Sequence, residues 1–149
     1  MRYKKLIQDS FFNQGFSLLE ILMTVAIVSI LARLAIPAYQ EAIQRSWRSD
    51  ARIVLLSNAQ YLARTYSENL KYRTSAQTPV LPLSTAPING AQTRYNITVV
   101  TPDDFSYTLT ATPTGWTDST CGNLTLDHLG TRLATAASGA SANNDCWMR

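Results

Sequence analysis

The sequence predicts an α+β fold in which a long, kinked N-terminal helix packs on an antiparallel β-sheet. Three patterns indicate this: an apolar run over 16–36, a helical apolar stripe that continues to residue 68, and period-two apolar alternation after residue 94. Only 15% of the 149 residues are charged, below the ~25% typical of soluble domains. Some of the surface is therefore expected to contact something other than water.

The apolar run reads FSLLEILMTVAIVSILARLAI and would span ~31 Å as a helix, about one hydrocarbon thickness. Its charged residues, Glu20 and Arg33, lie near its two ends. A cleaved secretory signal peptide also joins basic residues to an apolar run. However, the small residue Gly15 precedes the run and no A-x-A-like site ends it. We predict a leader over 1–15 and a transmembrane or filament-core helix segment over 16–36.

Two roles are open for Glu20, which lies in the first turn of this helix. In a bundle of helices its carboxylate can pair with the α-ammonium that cleavage would create on Phe16 of a neighbour, because a carboxylate away from water needs a partner. Alternatively, Ser17 and Glu20 form an S-x-x-E capping box at the start of their own helix. The intermolecular role is favoured, since intramembrane ionisable residues are usually functional.

Residues 37–68 are predicted to form the amphipathic half of the same helix. Pro37 removes an amide donor and predicts a kink, although it can equally mark the end of one helix and the start of another. A continuous helix is favoured because no Gly or Pro occurs from 38 to 67. Its apolar residues recur at helical spacing: Ala51, Leu55, Ala59, Leu62 and Tyr66.

The remainder divides into an irregular connecting loop over 69–93, which contains three prolines, and a sheet region over 94–149. Alternating apolar residues predict strands over 95–99, 107–111 and 124–126. The amphipathic helix is expected to cover the apolar face of this sheet.

Cys121 and Cys146 are the two cysteines of the chain. An even pair in one loop-rich region predicts a disulfide and an oxidising compartment, with two reduced buried thiols as the alternative. A bridge would stabilise the fold by about 3.5 kcal/mol in the chain-entropy model. It would also pin the small, polar segment 135–144, which is expected to be mobile. Trp147 is expected to pack against the bridge or the sheet edge.

The sequence gives little support to catalysis or metal binding. His128, the single histidine, directly follows Asp127, and neighbours on a strand point to opposite faces, so they cannot orient a nucleophile together. A metal site with Asp118 or Asp145 would need a convergence that the spacing does not show. The chain also lacks a P-loop and a G-x-G-x-x-G motif. We therefore predict a protein that is not an enzyme and that carries no cofactor or metal.

Basic residues raise the question of nucleic-acid binding. The net charge is +3, but the first 15 residues carry three basic and one acidic residue, so it falls to +1 without them. Arg45, Arg48 and Arg52 share one helical face and can contact DNA phosphates, acidic groups of adjacent subunits or lipid phosphates. A second patch would require five further residues to converge: Lys71, Arg73, Arg94, Arg132 and Arg149.

The N-terminal pattern resembles the leader and first helix of type IV prepilins. The resemblance rests on a basic leader followed by Gly15, Phe16, Glu20, Pro37 and Tyr39. It implies that prepilin peptidase cuts between Gly15 and Phe16 and N-methylates Phe16. It further implies that Glu20, as the fifth mature residue, serves subunit assembly.

Two positions depart from that pattern. Ser29 stands where the family often carries Gly, and Arg33 stands where it often carries a small apolar residue. Ser29 is expected to lessen helix melting during assembly, and Arg33 needs a partner or a wet interface. Downstream, the segments 107–115 and 121–130, with Arg132 and the C-terminal Cys-Trp pair, look like minor pilins of the PilE type.

The resemblance implies the type IV pilin fold and a minor pilin that helps to initiate or populate pili, with roles in pilus biogenesis, twitching motility, adhesion or DNA uptake. The implied partners are other minor pilins, the major pilin, prepilin peptidase, the inner-membrane assembly platform and, before assembly, membrane lipid. The implied location is a single pass of the inner membrane with a periplasmic C-terminal domain, then the extracellular pilus fibre. The alternatives are a DNA-binding pilin that acts as receptor in natural transformation and a type II secretion pseudopilin, which fits the cysteine pair less well.

Overall fold

The structure, a computed structural model, describes residues 15–73, 77–88 and 92–148. Apart from Gly15, the predicted leader lies outside these residues. The chain divides into two compact units, Met1–Tyr39 and Gln40–Arg149. In chain order the elements are α1 (Leu18–Asn69), β1 (Thr85–Ala86), β2 (Tyr95–Val100), β3 (Thr108–Pro113), β4 (Leu124–Asp127), β5 (Arg132–Ala134) and α2 (Ala140–Met148).

Helix α1 runs through Pro37 without interruption, so the two-helix alternative is wrong. The kink itself stays a prediction. The helix begins immediately after Ser17, whose carbonyl accepts the Ile21 N–H at 3.1 Å. That is the position a first helical hydrogen bond requires.

The five strands form one antiparallel sheet in the order β1-β2-β3-β4-β5. Ala111 lies opposite Ile97 on one side and Leu124 on the other, while Leu109 lies opposite Leu126. Because side chains alternate along strands, this register places the buried apolar residues of β2, β3 and β4 on one face. The three predicted strands and the α+β fold are thus confirmed.

The amphipathic part of α1 supplies the other side of the core. Ala51, Leu55 and Leu62 have no exposed surface, and they belong to one buried cluster with Tyr95 and Leu109 of the sheet region. Fully burying one leucine contributes roughly 1.5–3 kcal/mol, so this helical face largely holds the second unit together.

Three elements were missed at the sequence level. β1 lies within the connection expected to be irregular, and β5 follows β4 after a short turn. Both are too short to show alternation, so only their hydrogen bonding to β2 and β4 defines them. Helix α2 begins at Ala140 and covers the second half of the segment 135–144, for which no regular structure was predicted; the mobility of this segment stays a prediction.

Candidate functional site

The first unit presents an apolar helix surface. From Gly15 to Tyr39 every residue is exposed except the half-buried Ala32. This part of α1 is long and apolar enough to cross a membrane. Soluble monomers rarely expose contiguous apolar patches larger than on the order of a few hundred Å². The surface therefore needs lipid or other apolar helices around it.

The predicted processing site lies just before this helix. Gly15 and Phe16 are outside α1, and the Phe16 side chain is 79% exposed. Glu20 lies in the first turn and is exposed. The Phe16 side chain and the Glu20 carboxylate are thus both accessible to another chain.

Arg48 does not face solvent. It is 5% exposed, and its Nε and Nη2 atoms donate to Oδ2 and Oδ1 of Asp118 at 2.7 and 2.8 Å. The Tyr95 hydroxyl donates to Asp118 Oδ2 at 3.1 Å, and the backbone N–H groups of Thr120 and Cys121 donate to Oδ1. The prediction that Arg48 contacts DNA is therefore wrong, because the Arg48 guanidinium is buried and already paired with the Asp118 carboxylate.

This network shifts the pKa values of its members. Burial on its own would raise the pKa of Asp118, but the hydrogen bonds from Arg48 and Cys121 outweigh it, and the pKa lies below its usual value. Burial raises the pKa of Tyr95, and the negative charge of Asp118 raises it further. The ion pair therefore stays charged throughout the physiological pH range.

The other two arginines of that face have different environments. Arg52 donates from Nη1 to the carbonyl of Trp147 at 2.6 Å, near the C-terminus of α2, where a cation is favourable. Arg45 is half-exposed and lies 4.0 Å from Glu41, a weak surface pair. Of the three, only Arg45 remains available to an external phosphate.

Arg94 belongs to an aromatic cluster. Its guanidinium lies 4.2 Å from the centre of the Trp47 ring, and its carbonyl accepts the Trp116 Nε1–H at 3.0 Å. Trp116 packs edge-on against both Trp47 and Tyr95. A cation–π contact of this kind holds Arg94 on the protein surface rather than extending it towards solvent.

Lys71 and Arg73 follow the end of α1. Arg73 donates from Nη2 to the carbonyls of Thr101 and Pro102, which lie in the β2–β3 loop, and its Nε lies 4.0 Å from Asp104. Lys71 is exposed. The β2–β3 loop therefore binds Arg73 and places the Asp104 carboxylate beside it.

Of the predicted second patch, Arg149 lies outside the described residues, and the other four residues do not converge. Arg94 precedes β2 and Arg73 is bonded beyond its end at Thr101, so the length of β2, ~20 Å, separates them. Arg132 pairs with Leu126 across the sheet and therefore lies toward the same end of the sheet as Thr101. The structure thus groups Lys71 and Arg73 with Arg132 and leaves Arg94 apart.

The predicted disulfide is confirmed. Cys121 and Cys146 are joined by an S–S bond, and both are buried. Trp147 is also buried, and its Nε1–H donates to the carbonyl of Leu133 in β5 at 3.1 Å. The bridge and this hydrogen bond together hold α2 against the edge of the sheet, as expected for Trp147.

His128 lies in the turn after β4 and not in a strand, and it is exposed. The Asp127 carboxylate accepts the backbone N–H groups of Leu129 and Thr131, so it caps the same turn. Within the described ranges, no three His, Cys, Asp or Glu side chains form a metal-binding group.

Two family matches bear on these features. Residues 12–32 match the prokaryotic N-terminal methylation motif, which spans the Gly15–Phe16 junction and Glu20. Residues 37–125 match a family described as "Type IV minor pilin ComP, DNA uptake sequence receptor". The chain belongs to this family of minor type IV pilins. It is therefore a pilin with the N-methylation motif, and its family implies assembly with other pilins in a pilus.

Curated relatives of this minor pilin match it over short lengths. Fimbrial protein EcpC of Eikenella corrodens is 47% identical over 39 residues, 26% of this chain and 26% of the relative. Type IV major pilin protein PilE1 of Neisseria gonorrhoeae is 44% identical over 53 residues, 36% of this chain and 31% of the relative. The minor pilin thus spans less than a third of the length of these relatives.

Two solved pilin structures are also similar to it. A type IV pilin from Shewanella oneidensis is 32% identical with a TM-score of 0.45, and the match covers 59% of this chain and 88% of that one. The non-core minor pilin PilV of Neisseria meningitidis is 26% identical with a TM-score of 0.47, and the match covers 66% of this chain and 90% of that one.

Proposed function

We propose that prepilin peptidase cuts this minor pilin between Gly15 and Phe16 and methylates the new N-terminus, and that the processed subunit then enters a pilus and helps to initiate or populate it. The observation that best supports the proposal is the exposed apolar half of α1. Such a surface is stable in a bilayer and equally stable when similar helices surround it. A subunit can therefore move from membrane to filament without exposing this surface to water.

Glu20 determines the axial offset between neighbouring helices in the proposed filament. Once the apolar halves surround each other, an ionised carboxylate needs a cation, and cleavage creates one at Phe16. The two residues are four positions apart, so the ammonium of a neighbour lies level with Glu20 when that neighbour is displaced by ~6 Å along the axis. The capping-box role of Glu20 does not require a second chain, and mutation separates the two.

The proposed location before assembly is a single pass of the inner membrane with residues 40–149 in the periplasm. The disulfide supports this side of the membrane because such bonds persist in oxidising compartments. The proposed partners are the inner-membrane assembly platform, the major pilin and other minor pilins. The family match favours a type IV pilin over a type II secretion pseudopilin. The proposed role is structural and involves no catalysis.

Mass spectrometry of sheared pili tests this proposal. The expected result is a chain that starts at N-methylated Phe16 and is much less abundant than the major pilin. Absence of the chain from pili, with the unprocessed form retained in the membrane, would refute it.

A glutamate variant separates the two roles of Glu20. Glu20→Gln keeps a hydrogen-bonding side chain at the helix start but removes the charge, so it is expected to be cleaved normally and to enter pili at least tenfold less often. Glu68→Gln is the matched control, because Glu68 is an exposed partner of Arg64 in the same helix. Normal incorporation of Glu20→Gln would show that capping is sufficient.

DNA capture is the second candidate function. The observation in its favour is the match to a family described as a DNA uptake sequence receptor. Bulk charge does not favour it, since residues 40–148 contain eight basic and eight acidic residues. Binding must therefore depend on a local arrangement of basic side chains.

The end of the sheet near the β2–β3 loop is the best candidate surface. Lys71 is exposed and Arg73 is partly exposed. Arg132 lies in β5, three strand spacings or ~14 Å from β2, and its guanidinium lies 5.7 Å from the centre of the Trp147 ring, a longer contact than the one that holds Arg94. About five successive phosphates of one DNA strand cover these ~14 Å along the helix axis. Asp103 and Asp104 lie in the same loop and limit the affinity.

Fluorescence anisotropy of a labelled 30-base-pair duplex, with the full chain in detergent, tests DNA capture. Affinity is expected to fall steeply between 50 and 200 mM salt. Changing Lys71 and Arg132 to Gln is expected to lower the salt slope by roughly two, one for each lost phosphate contact. Arg45→Gln is the control, since it removes one exposed charge ~36 Å before the end of α1. No binding at low salt, or equal loss in the control, would refute this site.

A further inference from the structure

Two opposite charges interrupt the apolar half of α1. Glu20 and Arg33 are its charged side chains between Phe16 and Tyr39, and the 12 residues from Ile21 to Ala32 between them are uncharged. Both side chains are exposed. In the proposed assembly Glu20 pairs with a Phe16 ammonium, whereas the Arg33 cation has no assigned partner.

The two charges cannot pair within one helix. They are 13 residues apart, which is ~20 Å along the axis and ~140° around it. Each must therefore find its counter-charge outside its own helix. Before assembly Arg33 lies near one end of the apolar run and can extend to lipid phosphates and water.

Assembly removes that option, and this step depends on the proposed function. Inside a filament other apolar helices replace the headgroups, and an unpaired buried charge is strongly unfavourable. A carboxylate has two oxygens and about four lone-pair positions, so one Glu20 can accept bonds from two cations. Arg33 is therefore compatible with the pairing of Glu20 and the Phe16 ammonium.

We propose that Arg33 pairs with the Glu20 carboxylate of a second pilin helix displaced by ~20 Å along the filament axis. The partner is the apolar helix of a neighbouring pilin that carries a carboxylate at this level, and a second copy of this chain is such a helix. Relative to any one Glu20, the neighbour that supplies Arg33 is displaced towards the helix N-terminus, while the neighbour that supplies the Phe16 ammonium is displaced by ~6 Å the other way. One carboxylate thus joins two different neighbours, and Arg33 determines which helices fit.

Cross-linking in piliated cells tests this register. Two differently tagged full-length copies are overexpressed together so that they occur as neighbours, one with Ile27→Cys and the other with Gln40→Cys. Each cysteine lies two helical turns after one of the paired charges and on the same helix face, so the proposed register brings the two together. The 27–40 cross-link is expected to form, and reversal of the charge by Arg33→Glu in the second copy is expected to reduce it at least tenfold. Arg33→Lys is expected to retain at least half of it.

A neutral variant keeps the test specific. Arg33→Gln in the second copy removes the charge but leaves the Glu20 carboxylates of both copies able to pair with a Phe16 ammonium, so it is expected to lower the cross-link less than Arg33→Glu does. Arg64→Gln, an exposed charge outside the apolar half, is the control and is expected to leave the cross-link unchanged.

Three results would overturn the proposal: an undiminished cross-link with Arg33→Glu, a loss with Arg33→Lys as large as the loss with Arg33→Glu, or a loss of cross-link that only matches a fall in the membrane level of the chain. The last result would assign Arg33 to lipid phosphates. Absence of the wild-type chain from sheared pili would instead refute the proposed function, so the two failures are distinguishable.

Discussion

Replacing Asp118 with Asn is expected to destabilise the second unit severely. The Asp118 carboxylate accepts five hydrogen bonds, two from Arg48, one from Tyr95 and two from backbone N–H groups. An amide has one acceptor oxygen, and its NH₂ group would face donors. The variant therefore leaves the Arg48 guanidinium buried without a negative partner.

The expected loss is about 3–5 kcal/mol, the cost of breaking a buried ion pair by removing one member. Both side chains of this pair are almost inaccessible, at 6% and 0% exposure, so water cannot replace the lost partner. For a unit of ~110 residues this corresponds to a fall in Tm of roughly 12–20 °C. Glu68→Gln is the matched control. It breaks an Arg–carboxylate pair whose side chains are 81% and 59% exposed, and it should cost at most about 0.5 kcal/mol.

Thermal unfolding of the full chain in detergent, followed by near-ultraviolet circular dichroism of its tryptophans, measures both variants. The pH dependence provides a second check. The pKa of Asp118 is lowered in the folded state, so its contribution is fully present above the ordinary value of 3.8 and is lost as the pH falls through the folded-state pKa. The difference between wild type and Asp118→Asn should therefore be constant from pH 5 to 8 and shrink below about pH 4.

Equal, small shifts for Asp118→Asn and Glu68→Gln would refute this reasoning, because burial would then have no bearing on the strength of the pair. A stability difference that grows as the pH falls would also refute it, since the sign of the linkage would be wrong.

Three further predictions concern the packing around the bridge. Reducing the Cys121–Cys146 bond, whose sequence separation is 25, should cost about 3.5 kcal/mol, measured as a lower denaturant midpoint with reductant than without it. Arg52→Met removes a charged hydrogen bond to a carbonyl near the end of α2 and should cost about 1.5–3 kcal/mol, with faster hydrogen exchange confined to α2; unchanged α2 protection would contradict it. Gly122→Ala should cost at least about 1 kcal/mol, because Gly122 has a φ of 64° and an added Cβ would lie 2.5 Å from the Thr135 hydroxyl; an unchanged Tm would show that the loop relaxes freely.

Local sequence patterns were sufficient to predict most of the fold. The apolar run, the absence of Gly and Pro from 38 to 67 and the alternation at Tyr95, Leu109 and Leu124 depend on neighbours in sequence, and the helix and three central strands followed from them. The disulfide was predictable because the chain has two cysteines and both lie in the same region. The processing motif was equally local, since Gly15, Phe16 and Glu20 lie within six residues.

The burial and the partner of each charged side chain depended on the tertiary structure. Arg45, Arg48 and Arg52 look alike on a helical projection, yet one is half-exposed, one is buried against Asp118 and one binds the end of α2. Asp118 lies 70 residues from Arg48, and no periodicity links them. The sequence by itself therefore determined where α1 and the central strands form and which segment avoids water. Long-range contacts decided which charges remain free, because the electrostatic energy of a side chain depends on burial and on partners that are distant in sequence.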